Sequence, residues 1–126
     1  MLREISGVRQ DDPAVRRRWF QDDYFDLYVW TDPQGELRAF QLAYERGRRE
    51  KALSWDRARG YSHRVVDRGD ESPFSQMTPL LCADAGRFPK YRVISQFDSR
   101  AAGLAPPLRH EIRARLAGYL PGRGRR

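Results

Sequence analysis

Apolar side chains recur at every second position through the first half of the chain and at helical spacing towards its end. The stretch FDLYVWTDPQGELRAFQLAY, residues 25–44, contains the clearest strand pair. Asp32, Pro33, Gln34 and Gly35 fit a type I turn, with Gly35 in the left-handed position of a bulge. That turn predicts Thr31 opposite Leu37, Val29 opposite Ala39, Leu27 opposite Gln41 and Phe25 opposite Ala43 on one face. Trp30 with Arg38, Tyr28 with Phe40 and Asp26 with Leu42 then share the other. Both faces of this ribbon are apolar, so each requires a cover.

Two further strands, EKALSWD and YSHRVVD, follow turns at ERGR and RARG. Pairing Glu45 with Arg48 predicts Arg38 beside Trp55, Phe40 beside Leu53, Ala39 beside Ser54 and Gln41 beside Ala52; pairing Asp56 with Tyr61 predicts Ser54 beside His63 and Ala52 beside Val65. MTPLLCAD reads as a fifth strand or an extended cover, and Pro79 favours a sheet edge. Upstream, DDPAVRRRWF runs extended or opens a short helix; Asp12 as cap and Pro13 in the first turn favour the helix. Near the C-terminus, Tyr91, Ile94 and Phe97, then Leu108, Ile112, Leu116 and Leu120, mark two amphipathic helices.

The expected fold is α+β: an antiparallel four- to five-stranded meander with two C-terminal helices packed on one face. It forms a single domain over residues 1–120, followed by a basic flexible tail at 121–126. The face offering Ala39, Ala43, Ala52 and Ser54 permits close helix approach. The aromatic face is left to the segment from Phe74 to Cys82, to the Trp19 and Phe20 arm, or to a second copy in a homodimer.

Composition narrows this picture. A chain of 126 residues supports one hydrophobic core, and its 40% hydrophobic content is that of a folded domain. No apolar run approaches the length of a membrane-spanning helix and the start is not signal-like, so the expected compartment is the cytoplasm. Cys82 stands alone, which excludes an internal disulfide, and it reads as a packed thiol. The net charge of +7 suits phosphate contacts, but the basic residues are nearly all Arg in a chain rich in Ala, Gly and Pro, the pattern of a coding bias. They cluster at Arg16–Arg18, at Arg46, Arg48 and Arg49, and in the tail.

Three sets of residues carry candidate chemistry. Gln41, Ser54 and His63 form a polar patch on the small-residue face in the predicted register, a candidate ligand site. A His beside a Ser can activate it, but the sequence supplies no orienting acid and no GxSxG elbow, so no catalytic residue is assigned. Tyr28, Trp30, Arg38, Phe40 and Trp55 form an interface or a stacking surface of the kind that holds single-stranded nucleic acid, without an RNP-like consensus. Asp22, Asp23 and Asp26 match no calcium loop and balance Arg16–Arg18. No metal or cofactor is implied.

The run RRRWFQDDYFDLYVWTDPQGELRAFQLAYERGRREKALSW, followed by GYSHRVVD, resembles a family of small bacterial proteins sharing a WF…FDL.VW.D..G….FQL.Y core. The resemblance covers roughly the middle half of the chain. It implies a bacterial origin and one intact domain, and it assigns no activity to any residue. The expectation is a non-enzymatic binding or protein-interaction module. The alternatives are a small enzyme or ligand-binding protein with a polar pocket around His63, and a weak, salt-sensitive nucleic-acid binder.

Overall fold

The computed structural model describes residues 1–47, 50–67 and 80–120, with the backbone alone for 67 and 80–84. Its strands are β1 (Arg3–Ile5), β2 (Arg16–Gln21), β3 (Phe25–Thr31), β4 (Leu37–Tyr44), β5 (Lys51–Asp56), β6 (Gly60–Asp67) and β7 (Leu80–Asp84). They form one seven-stranded antiparallel sheet in which each strand pairs with the next. Helix α1 (Lys90–Arg100), a 3₁₀ turn (Ala101–Gly103) and helix α2 (Pro106–Gly118) follow. The α+β meander with two C-terminal helices is as expected, but the sheet is wider than four to five strands. The expected cover by Phe74 to Cys82 lies outside the described residues apart from the β7 backbone, as do Arg48, Arg49 and the tail.

One gain in width comes from the segment that reads as a short helix. Asp12 does cap a turn, its carboxylate accepting the Ala14 N–H at 2.8 Å, but the turn ends after Val15. Arg16–Gln21 then pairs residue by residue with Asp26–Thr31, which sends Trp19 and Phe20 to opposite faces. The Gln10 side-chain amide extends the far edge of β2. It accepts from Arg17 N and donates to Arg17 O, both at 2.8 Å, as a neighbouring backbone would.

At the β3–β4 turn Gly35 adopts φ +85°, a left-handed conformation that other residues rarely enter, and Thr31 pairs with Leu37 as predicted. A bulge between Trp30 and Thr31 then shifts the register, leaving Arg38 between the Leu37 and Ala39 pairs. The consequence overturns the predicted partners: Trp30 lies opposite Ala39, Val29 opposite Phe40, Leu27 opposite Leu42 and Phe25 opposite Tyr44. Beyond it, Phe40 pairs with Trp55, Gln41 with Ser54 and Leu42 with Leu53, and Asp56 pairs with Gly60 rather than Tyr61.

These registers gather Phe20, Phe25, Leu27, Val29, Phe40, Leu42, Tyr44, Leu53 and Trp55 on one face. They form a single core with Val93, Ile94 and Phe97 of α1 and Ile112 and Leu116 of α2. The helices therefore cover the face with large side chains and not the alanine face, because the larger apolar area gives the greater gain on removal from water. Tyr91 and Leu120, placed on the helical stripes by spacing, are 81% and 69% exposed, and Val93 points inward instead. Across the layers, Arg115 lies 4.1 Å above the Trp55 ring while its carbonyl accepts the Tyr61 hydroxyl at 2.9 Å.

Candidate functional site

The face away from the helices carries a different set of side chains. One row across it runs Trp19, Tyr28, Gln41, Ser54 and Ser62; the next runs Arg17, Trp30, Ala39, Asp56 and Gly60. On the β2–β3 side the rows are bulky. Trp19 stacks on Tyr28 at 5.4 Å between ring centres, Tyr28 on Trp30 at 6.3 Å, and the Arg17 guanidinium lies 6.0 Å from the Tyr28 ring. On β4, β5 and β6 the same rows hold Ala39, Ser54, Ser62 and Gly60, so the floor drops away beside Trp30.

The drop forms a cleft of about 690 Å³. Trp30, Gln41, Ser54 and Ser62 line it, with Asp12 and Val15 from the segment before β2, Arg38 from the bulge, and Asp56 and Arg59 from the β5–β6 turn. Phe40, Trp55 and Tyr61 also border it, but their side chains belong to the helix-side core. All the rim segments lie at one end of the sheet, where the β3–β4 and β5–β6 turns and the start of β2 come together.

The polar groups of the cleft differ in how they are satisfied. The Ser54 Oγ is buried and has no hydrogen-bond partner among the described residues. Asp12 and Asp56 each commit one carboxylate oxygen to turn amides: Ala14 N at 2.8 Å for the first, Ala58 N at 2.8 Å and Arg59 N at 3.1 Å for the second. Arg38 and Arg59 are exposed, and neither forms an ion pair among the described residues. The cleft therefore offers an aromatic wall, a hydroxyl and amide floor, and a mouth with both signs of charge.

The predicted polar patch is only half assembled. Gln41 and Ser54 are direct cross-strand neighbours in the cleft, but His63 pairs with Leu53 and faces the helices. There its Nε2 lies 2.7 Å from the Tyr44 hydroxyl and its Nδ1 2.8 Å from the Gly86 carbonyl. Because a carbonyl only accepts, Nδ1 carries a proton, and Nε2 shares a hydrogen bond with the phenol. Burial raises the Tyr44 pKa above its ordinary value and keeps that phenol protonated. The imidazole also stacks on Tyr44 and meets Phe88 edge-on at 5.3 Å, on the face of the sheet opposite the Ser54 side chain.

The predicted aromatic surface is divided in the same way. Tyr28 and Trp30 stand on the cleft side with Arg38 at the rim, whereas Phe40 and Trp55 are buried under the helices, so the five do not form one stacking platform. Asp22, Asp23 and Asp26 form no common site. Asp22 accepts the Tyr24 and Phe25 N–H groups, both at 2.8 Å, and with Asp23 it holds Arg100 of α1. Asp26 is buried and accepts the Trp19 indole N–H at 2.5 Å. Among the described residues no cluster of three or more His, Cys, Asp or Glu is placed to hold a metal ion.

Asp12, Asp56, Arg59 and Ser62 were not among the predicted site residues. The signal for the last three was Gly60, which takes φ +84° and pairs directly with Asp56. Reading that Gly as the end of the turn puts Ser62, not His63, beside Ser54. Comparison with known proteins finds no matching family model, no matching curated protein and no matching solved structure.

Proposed function

We propose that the protein is a non-enzymatic binding module that takes a small ligand into the cleft on the open sheet face. The observation that carries this reading is the buried Ser54 hydroxyl, which has no partner among the described residues and sits beside Gln41 on the floor of a cleft of about 690 Å³. A buried hydroxyl without a partner costs stability, on the order of 1–3 kcal/mol, and a ligand that hydrogen-bonds to it recovers that cost. The volume lies within the roughly 300–1,000 Å³ of small-molecule pockets, and the mix of one aromatic wall with a few convergent polar groups is of the same kind. Among the described residues that line the cleft there is no His or Cys.

A fragment screen read by amide chemical shifts tests the proposal. Hits should cluster at Gln41, Ser54 and Ser62 and at the Trp30 indole. A screen whose hits all map elsewhere, or that finds none, would overturn it.

A further inference from the structure

Resting on the reading of the cleft as a ligand site, we infer that its ligand is a nucleoside monophosphate, with the base laid against Trp30 and the phosphate held at the mouth by Arg38 and Arg59. The lining groups are ordered along the strands in the way such a molecule requires. Gln41, Ser54 and Ser62 lie one row further into the sheet than Ala39, Asp56 and Gly60, and the two arginines stand at the turn end. A planar ring entering over Ala39 meets the half-buried Trp30 on one side and reaches an amide and two hydroxyls at its inner edge.

An amide and hydroxyls both donate and accept, which suits the mixed pattern on the edge of a base. Stacking on an indole tolerates any base, since each has a π face. At the mouth, Arg38 and Arg59 have no ion-pair partner among the described residues, and guanidinium groups match phosphate oxygens with paired N–H donors. Asp12 and Asp56 explain why a sugar belongs between the two ends. Each has one carboxylate oxygen on turn amides and a second oxygen available to accept a hydroxyl proton. A simple dianion would gain nothing from two carboxylates beside it, whereas a ribose supplies the donors they accept.

The test is isothermal titration of the full chain with AMP, GMP, CMP and UMP, with adenosine and ribose 5-phosphate as part-ligands and a penta-adenylate strand as the polymer. At least one mononucleotide should bind in the micromolar range, and both part-ligands at least about tenfold more weakly, a difference of roughly 1.4 kcal/mol. Arg38→Ala and Arg59→Ala, both at exposed positions, should each weaken the mononucleotide by about tenfold and leave adenosine unchanged. Arg113→Ala, which removes an exposed arginine paired with Asp98 on the helix side of the sheet, should change neither. Absence of mononucleotide binding below about 1 mM, binding only by the pentanucleotide, or equal losses for nucleotide and nucleoside would each overturn the assignment. If mononucleotides fail while fragments still map to Gln41, Ser54 and Ser62, only the nucleotide class falls; if both are silent, the binding module falls with it.

Discussion

Ser54 and His63 lie one strand apart yet stand in opposite hydrogen-bonding states, and that contrast can be measured. The Ser54 Oγ has no partner among the described residues, so Ser54→Ala removes an uncompensated polar atom and should hold or raise stability by about 1 kcal/mol while weakening any ligand of the cleft. His63 bridges Tyr44 and Gly86, so His63→Ala removes the partner of both and opens a cavity, and should lower stability by about 2–4 kcal/mol. Urea unfolding compares the two variants directly; equal losses would show that Ser54 is as well satisfied as His63. Asp22 makes a second residue-level case, this time in pH. Burial pushes its carboxyl upward, but the Phe25 and Tyr24 N–H groups and the Arg100 guanidinium outweigh this and hold its pKa below the ordinary value. A carboxylate whose folded pKa is depressed contributes stability that is present above the unfolded pKa of about 3.9 and is lost as pH falls through the folded value. Thermal melts should therefore show the wild type losing stability below about pH 4, with the gap between it and Asp22→Asn narrowing towards pH 2. A gap that stays constant across this range would show that the charge on the Asp22 carboxylate contributes nothing to stability.

Where elements meet, tolerance depends on how closely two backbones approach. A Cβ on Gly103 would stand 2.6 Å from the Leu2 carbonyl oxygen, and Leu2 is tied there by its N–H to the Arg100 carbonyl at 2.9 Å. Gly103→Ala should thus push the N-terminal segment off the end of α1 and cost roughly 1–3 kcal/mol, whereas Ala102→Gly, exposed beside it, should cost less than about 1 kcal/mol. Denaturant midpoints of the two variants check this, and similar losses would refute it. The same scale shows what was legible in the sequence. Strands β3–β6 and both helices were visible because their periodicities are unbroken over six or more residues and their turns carry Asp, Pro or Gly. The faces were not legible. One residue at the Arg38 bulge and one at Gly60 each reversed a side-chain alternation, so Phe40 and Trp55 left the aromatic surface and His63 left the polar patch. Strand β2 was obscured by a genuine Asp12 cap followed by Pro13, a helix-start signal that here closes only a turn. Gln41 and Ser54 stayed on one face, and became direct cross-strand neighbours, because the β4–β5 register slipped by two residues, which preserves the face.

At the scale of the whole molecule, the two apolar faces of the β3–β4 ribbon have different surroundings. The helices take one side, and Trp19, Tyr28 and Trp30 stack on the other, where Tyr28 is 1% exposed. The large apolar side chains that remain exposed among the described residues, Met1, Tyr91 and Leu120, belong to three separate segments. Nothing in that set resembles the contiguous patch of several hundred Å² that marks an obligate interface. The β1 edge is also a poor template for a second sheet, being three residues long and carrying Arg3 and Glu4, and charged, short edges resist edge-to-edge pairing. A net charge of +7 adds repulsion between copies at low salt. Light scattering at low and at physiological ionic strength should accordingly give a mass near the 14.8 kDa of one chain in both. Because the cleft is built from one copy, adding a ligand should leave that mass unchanged. A stable dimer at both salt concentrations would refute the prediction, and amide exchange on that dimer would locate its interface; protection of Trp30, Arg38 and Arg59 would make the cleft a protein-docking surface instead of a small-molecule site.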